Sequence, residues 1–411
     1  MLKEPSGTLL IVLAIAFTAP LVTSLAPWLR LPALVIEILL GILVGPDVLD
    51  LVEVSEPIAL LAEIGLATLI FLAGFEIDPQ RVKGRPLRLS VTGWIISVAL
   101  GLACGAALQA TGIIKNELYV GLALTTTALG ALLPILRDAG ILPTKFGTHM
   151  LAVGSVGEFG PIIAVALLLS GTGAAKSVAA LVAFGVIAAL AIFYAHRPTR
   201  PRFHEALAGS LRSSGQLYVR LAMVLIGALT LAAARLGLDV LLGAFTAGLV
   251  YRMVVTAGAS EDEMEQVESK LEALCLGFLI PIFFVVTGIN FDLEALLDSP
   301  SAMAKVPLFL GLLMLVRGLP AMLYKRELPR RSDRLALAFF SATGLPLIVA
   351  ITTIGLEAGQ MRTSTAAALV GAGMLSIVLY PLIGKALLDR SAAGAPRPVP
   401  AAPAPEADPA R

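Results

Sequence analysis

Two ionisable residues lie where a lipid bilayer tolerates them least. Glu158 sits in LAVGSVGEFGPIIAVALL, residues 151–168, an otherwise apolar stretch long enough to cross a bilayer, and Arg317 sits well inside a second, LLMLVRGLPAML. A carboxylate in hydrocarbon costs about 2.5 kcal/mol or more, so such acids usually face aqueous cavities and mark ion or proton paths. A guanidinium stays charged and needs an acceptor, and Glu158 is the deep acid available to it. Together they predict a switchable site in which a proton or monovalent cation replaces the guanidinium on the carboxylate. The competing reading is a permanent Arg317 to Glu158 salt bridge that only fixes packing, or a protonated Glu158 serving as glue. Thr125, Thr126 and Thr127 add hydroxyls. With carbonyls freed by helix breaking they can complete the oxygen shell of a hard cation, although threonines also join membrane helices without binding anything. The candidate ion- and proton-binding set is therefore Glu158, as ligand for Na+ or K+, with Thr125, Thr126 and Thr127; Arg317 is the basic partner, and Ser155 and Gly157 flank the site.

These residues need membrane helices to position them. The 411 residues are 57% hydrophobic and 14% charged, with a mean hydropathy of +0.90, and apolar runs of about 20 residues recur throughout, which predicts a polytopic all-α membrane protein. Runs bounded by charges or Pro and Gly clusters give about thirteen spans, including 117 to 138, 148 to 170, 303 to 325 and 333 to 357. Every second connection is basic: Arg30; Arg81, Lys83, Arg85 and Arg88; Arg137 and Lys145; Arg197, Arg200, Arg202 and Arg212; Arg252 and Lys270; then Lys325 to Arg334. Positive charge marks the cytoplasmic side, so the N-terminus is expected outside and the C-terminus in the cytoplasm. A net charge of +1, with bases dispersed among short connections, gives no nucleic-acid surface. Cys104 and Cys275 lie in apolar runs and suit neither a disulfide framework nor a metal site. No HExxH and no Ser/His pair argues for an enzyme, no cofactor is implied, and His149, His196 and His204 fall in or beside cytoplasmic connections. The first run, from Thr8 to Ala26, is read as a retained helix rather than a signal peptide.

The chain also repeats itself. LLGILVG at 39–45 recurs as LLGAFTAG at 241–248, and IFLAGFEID at 70–78 as FFVVTGINFD at 283–292, with an odd number of spans between the copies, which inverts their orientation. That is the pattern of an inverted-repeat transporter. LTTTALGALLP at 124–134 faces FSATGLPLIVA at 340–350 at a similar offset; Gly130 and Pro134 in one, Thr343, Gly344 and Pro346 in the other, predict two crossing discontinuous helices. Glu37 and Glu63 sit nearer span ends; Glu37 can attract cations, though a hydrogen bond to a helix neighbour is the more ordinary role. Glu261 to Glu272 has the apolar spacing of an amphipathic linker helix along the cytoplasmic surface. The Ala- and Pro-rich tail, 391–411, is expected to be disordered and too short for a nucleotide-binding regulatory domain.

Together LPALVIEILLGILVGP, LAEIGLATLIFLAGFEIDPQRV, LTTTALGALLPILRDAGILPTKFG, LLGAFTAGLV and IPIFFVVTGINFDL resemble the monovalent cation:proton antiporter-2 family, which includes bacterial sodium/proton exchangers and glutathione-gated potassium efflux transporters. The resemblance implies a homodimer in the cell membrane and elevator-type alternating access. It implies a division into 1–112, the first part of a dimerisation domain and the start of a core; 113–172, core spans with the ion site; 173–215, a linker span and loop; 216–300, the second dimerisation part; 301–390, the remaining core spans; and 391–411, the tail. It implies that Glu158 holds the family's ion-binding carboxylate position, Arg317 that of its basic partner, and Thr126 and Thr127 those of the broken-helix ligands. The chain departs from the family in having Gly157 and Glu158 where relatives usually carry a polar residue followed by Asp, and Gly344, Leu345, Pro346 where many carry Gly-Glu-Phe. One titratable acid makes one-for-one, electroneutral exchange of Na+ or K+ for H+ the simplest activity. The alternatives are a gated potassium efflux pathway with a separate cytosolic regulatory subunit, or transport of another solute on the same fold.

Overall fold

A computed structural model describes residues 4–26, 28, 31–76, 84–168, 174–195, 209–210, 214–256, 260–297 and 300–393. In chain order the long helices are α1 Pro5–Leu25, α2 Ala33–Val44, α3 Glu56–Glu76, α4 Arg85–Ala110, α5 Glu117–Ala123, α6 Leu129–Asp138, α7 Lys145–Leu168, α8 Ala174–Ala195, α9 Leu217–Arg235, α10 Val240–Thr256, α11 Glu261–Leu274, α12 Ile280–Ile289, the short α13 Leu293–Leu297, α14 Pro300–Leu313, α15 Arg331–Ser341, α16 Pro346–Glu357 and α17 Thr363–Ala393. Among the described residues nine helical stretches are long and apolar enough to cross a membrane, three more apolar helices are shorter, and α5 with α6 forms a broken pair. By length and composition nine stretches suffice unaided, and the other apolar runs are short or interrupted.

The helix breaks fall where the sequence puts Thr, Gly and Pro. α5 stops before Leu124–Ala128 and α15 before Ala342–Leu345, and the Ala128 N–H donates to the Thr343 carbonyl at 2.8 Å. The two discontinuities therefore lie side by side and cross, as expected. The loops before α5 and after α16 are tied as well: Arg362 Nη1 donates to the Gly112 carbonyl at 3.1 Å, Asn116 Nδ2 to Gln360 Oε1 at 3.2 Å, and Lys115 Nζ to the Gly359 carbonyl. The repeats pack against each other. A Cβ on Gly41 of α2 would overlap the Val285 carbonyl and Gly288 of α12, and one on Gly248 of α10 would overlap Phe71 and Phe75 of α3. Small residues in the repeated segments thus let backbones approach closely, which is how membrane helices gain packing without a hydrophobic drive between them.

α11 corrects one expectation. It begins with a capping box, Glu263 N–H to Ser260 Oγ at 3.3 Å and Ser260 N–H to Glu263 Oε2 at 2.9 Å, but it does not lie apart on the surface. It runs through a π-helical turn, Cys275–Leu279, directly into α12, and Val267 and Leu271 are buried in the core. Apolar spacing alone does not distinguish docking on lipid from docking on protein. Arg30, Arg81, Lys83, Arg197, Arg200, Arg202, Arg212, His196, His204, Asp78 and the tail from 394 lie outside the described residues.

At the end of the molecule carrying Lys145 and Arg85, Glu327 joins three helices: it accepts from Arg85 Nε at 2.7 Å and Lys145 Nζ at 3.1 Å, with His149 Nε2 at 3.8 Å. The Lys145 hydrogen bond, with the Arg85, Lys145 and His149 charges, holds the Glu327 carboxyl below its ordinary 4.5. A carboxylate so depressed contributes stability in full above its ordinary value and loses it as pH falls through the lowered one. Glu327→Gln is therefore expected to melt at a lower temperature than the native protein at neutral pH, and the gap should close in acid. Melting of detergent-solubilised protein between about pH 3 and pH 7 checks this; a gap that persists unchanged to the acid end contradicts it.

Candidate ion site at the crossing of the broken helices

Two prolines prepare the site. Pro161 has no N–H to give the Gly157 carbonyl, and that carbonyl instead accepts the Thr127 N–H at 2.9 Å, so α7 is fastened to the break between α5 and α6. Pro320 likewise frees the Val316 carbonyl, which accepts Ser97 Oγ of α4 at 2.8 Å. Ahead of Pro320 the chain makes a π-helical turn, Met314–Gly318, of the kind that often marks functional positions. Arg317 lies in that turn, 3% exposed.

Glu158 and Arg317 are both buried at the crossing, yet no ion pair joins them among the described residues. Arg317 donates from Nε to Thr127 Oγ1 at 2.9 Å, and from Nη2 to Thr127 Oγ1 at 2.7 Å and the Val153 carbonyl at 3.3 Å; Nη1 reaches Ser97 Oγ at 3.3 Å. All three acceptors are neutral. Thr127 Oγ1 in turn donates to the Ser341 carbonyl at 2.5 Å, and Ser341 Oγ to the Arg317 carbonyl at 3.0 Å, so the C-terminal end of α15 backs the guanidinium. Glu158, 4% exposed, instead accepts from the backbone N–H groups of Leu129 and Gly130, the first two residues of α6. The physical reason for the correction is the crossing. It turns the positive end of one half-helix toward the acid and the negative end of another toward the base, so each charge is met by peptide dipoles rather than by the other.

The remaining residues fall as follows. Thr125 and Thr126 are buried, and their hydroxyls donate back to the Leu122 carbonyl at 2.8 Å and the Ala123 carbonyl at 2.9 Å, so they finish α5 while Thr127 alone reaches across. Gly157 has no side chain because a Cβ there would overlap Arg317 Nη2 and Thr127; the guanidinium fills the space that a polar side chain before Glu158 would need. The Gly344 N–H is held by Ser376 Oγ at 3.1 Å, and the Ala128 N–H by Thr343, as above. Pro346 opens α16, Pro134 lies within α6, and Ser155 is buried in α7.

Two cavities follow the seam between the repeat helices and the broken pair. One, of about 830 Å3, lies beside Glu37, Gly130, Pro346, Lys385 and Asp389; the other, of about 660 Å3 at the opposite ends of the same helices, beside Glu63, Asp239, Asn290, Asp292 and Glu357. Glu37 is 5% exposed and, among the described residues, has no hydrogen-bond partner, contrary to the neighbour bond expected of it. Sequence reasoning missed Ser97 and the amide donors of Leu129 and Gly130; the signals for them were Pro320, whose missing N–H leaves the Val316 carbonyl to Ser97, and Gly154 of α7, where a Cβ would overlap the Leu129 side chain at the start of α6. It also missed Glu76, whose Oε2 is buried without a partner among the described residues.

A family model described as sodium/hydrogen exchanger, transmembrane, matches residues 13–390. The chain is 26% identical over 402 residues to YjbQ of Bacillus subtilis (strain 168), named for Na+/H+ antiport, covering 93% of this chain and 63% of that protein. It is 29% identical over 306 residues to the glutathione-regulated potassium-efflux system protein KefC of Klebsiella pneumoniae (strain 342), covering 72% of this chain and 47% of that protein. The chain thus spans about half to just under two thirds of the length of these relatives. Its fold is similar to that of the sodium proton antiporter MjNhaP1 from Methanocaldococcus jannaschii, with a TM-score of 0.65 at 18% identity over 93% of this chain and 97% of that one.

Proposed function

The chain belongs to the sodium/hydrogen exchanger family, a family of multi-pass membrane proteins, and from that premise we propose that it exchanges a monovalent cation, Na+ or K+, for protons. The observation that carries the reading is Glu158 itself, a buried carboxylate with no basic side chain paired to it among the described residues, held by two amides at the start of a half-helix and one residue away from a cavity. A carboxylate satisfied only by N–H donors keeps lone pairs for an incoming cation or a proton, and the two compete for the same oxygens. Thr127 is oriented by Arg317: its Oγ1 is taken up by Nε, Nη2 and the Ser341 carbonyl, so Arg317 acts by fixing the broken segment against Gly157 of α7.

Both cavities border α3 and α12 on one side and the broken helices with α17 on the other. This supports an elevator cycle in which a core of α4 to α7 and α14 to α17, carrying Glu158 and the crossing, slides along that seam against a dimerisation domain built on α1 to α3 and α9 to α12. The basic connections favour a cytoplasmic position for the larger cavity, with the N-terminus outside, the C-terminus inside and the site open inward. A homodimer and electroneutral exchange complete the proposal. Similarity to KefC favours one second reading, potassium efflux controlled by a separate cytosolic subunit.

The test is collapse of an imposed pH gradient in proteoliposomes on adding sodium, lithium or potassium. The responding ion names the substrate, and a rate that does not change with membrane potential supports electroneutrality. If folded protein answers to no cation, antiport is excluded; cation flux without proton movement selects the efflux reading.

A further inference from the structure

The charge that acts on Glu158 is another acid, Glu76. Glu76 ends α3, and its Oε2 is buried with no hydrogen-bond partner among the described residues. It lines a cavity of about 60 Å3 together with Gly130, Arg137, Glu268 and Glu272. Gly130 is also the amide donor to Glu158, and Gly130, Leu69 and Leu276 border both this small cavity and the large one beside Glu37. Two cavities of very unequal volume therefore meet at the residue that holds the ion-site carboxylate.

Their sizes decide what each can carry. The small cavity has room for a few ordered waters, whereas the larger one has more than ten times its volume and room for a cation with waters around it. The polar groups around it are carboxylates and one guanidinium, which suits bridging water and proton hopping. The groups that act on Glu76 are Glu268 and Glu272 of α11, Arg137 of α6 and Arg252 of α10; Arg137 Nη1 lies 3.8 Å from Glu272 Oε1, and Arg252 Nη1 donates to the Phe75 carbonyl at 2.8 Å. The arrangement is confined to one side: aligning GFEID at 74–78 with GINFD at 288–292 sets Asn290 opposite Glu76, and Asn290 lines the outer cavity.

We propose that Glu76 is the inward proton acceptor for Glu158, giving protons a route separate from the cation's. As a cation arrives at Glu158 through the larger cavity, the Glu158 proton passes through water in the small cavity to the Glu76 carboxylate, and from there to Glu272 or Glu268 and the aqueous phase. No charge is left behind, because the cation replaces the proton on Glu158 and Glu76 returns to its starting state. The inference rests on the antiport reading.

The experiment compares two transport modes of native protein, Glu76→Gln and Glu76→Asp in proteoliposomes, using radioactive sodium and, in parallel, radioactive rubidium as the potassium probe. Cation-for-cation exchange moves no net proton; cation-for-proton exchange does. Glu76→Gln is expected to slow cation-for-proton exchange about 10-fold or more while cation-for-cation exchange stays within about 2-fold, with Glu76→Asp largely restoring the coupled mode. Equal loss in both modes assigns Glu76 to the scaffold and overturns the relay, and so does a Glu76→Gln variant indistinguishable from native protein. If native protein fails in both modes, it is the antiport reading itself that falls.

Discussion

Glu158→Gln is expected to abolish cation-driven proton movement, by about 100-fold or more, equivalent to about 2.7 kcal/mol of barrier, while barely altering stability. Glutamine keeps a carbonyl oxygen for the Leu129 and Gly130 amides, so the α6 cap survives, but it neither binds a proton at working pH nor balances a cation. The stability half of the prediction discriminates between two arrangements. Were Glu158 the partner of a buried Arg317, neutralising it would strand a charge and cost about 3 to 5 kcal/mol. With Arg317 held by Thr127, Ser97 and Val153, the loss of helix-end attraction and the relief of a buried charge offset each other to within about 1 kcal/mol. Melting and gradient-collapse assays on the same preparation read both halves; a large fall in melting temperature would restore the ion-pair model.

The second large effect belongs to Arg317. Arg317→Ala removes four donated hydrogen bonds and leaves a cavity between α4, α7 and the break, with an expected cost of about 3 kcal/mol and loss of transport, because Thr127 is no longer oriented. Arg317→Lys keeps the charge but not the fork, and a single ammonium cannot reach Thr127, Ser97 and Val153 together. It is expected to recover less than half of the lost stability. Gly157→Ala should mimic the defect from the other side at about 1 to 3 kcal/mol, since its methyl group meets Nη2 and Thr127. The measurement is thermal unfolding in detergent beside transport. Native-like melting and transport in Arg317→Lys would reduce the guanidinium to a point charge and sink the account.

The inhabitants of the site were legible in the sequence. An acid and a base inside apolar runs are too costly to be incidental, and matched Thr, Gly and Pro clusters announce broken helices because Pro removes a donor and Gly weakens the turn. These are local properties, and they nominated Glu158, Arg317 and Thr127, which the fold buries near the crossing of the two broken helices. What the sequence could not decide is which group satisfies which. Glu158 and Arg317 are about 160 positions apart, and charge alone nominated them as partners. The fold supplies compensation of another kind, the amide end of α6 for the acid, and Thr127, Ser97 and a carbonyl for the base, all brought in by chain crossings that no residue type encodes. Likewise Glu76 reads in the sequence as one more acid near a helix end; only the tertiary structure sets it beside Gly130, in a small cavity that also borders Arg137, Glu268 and Glu272. Residue type fixes the cost of burying a charge, and geometry fixes how that cost is met.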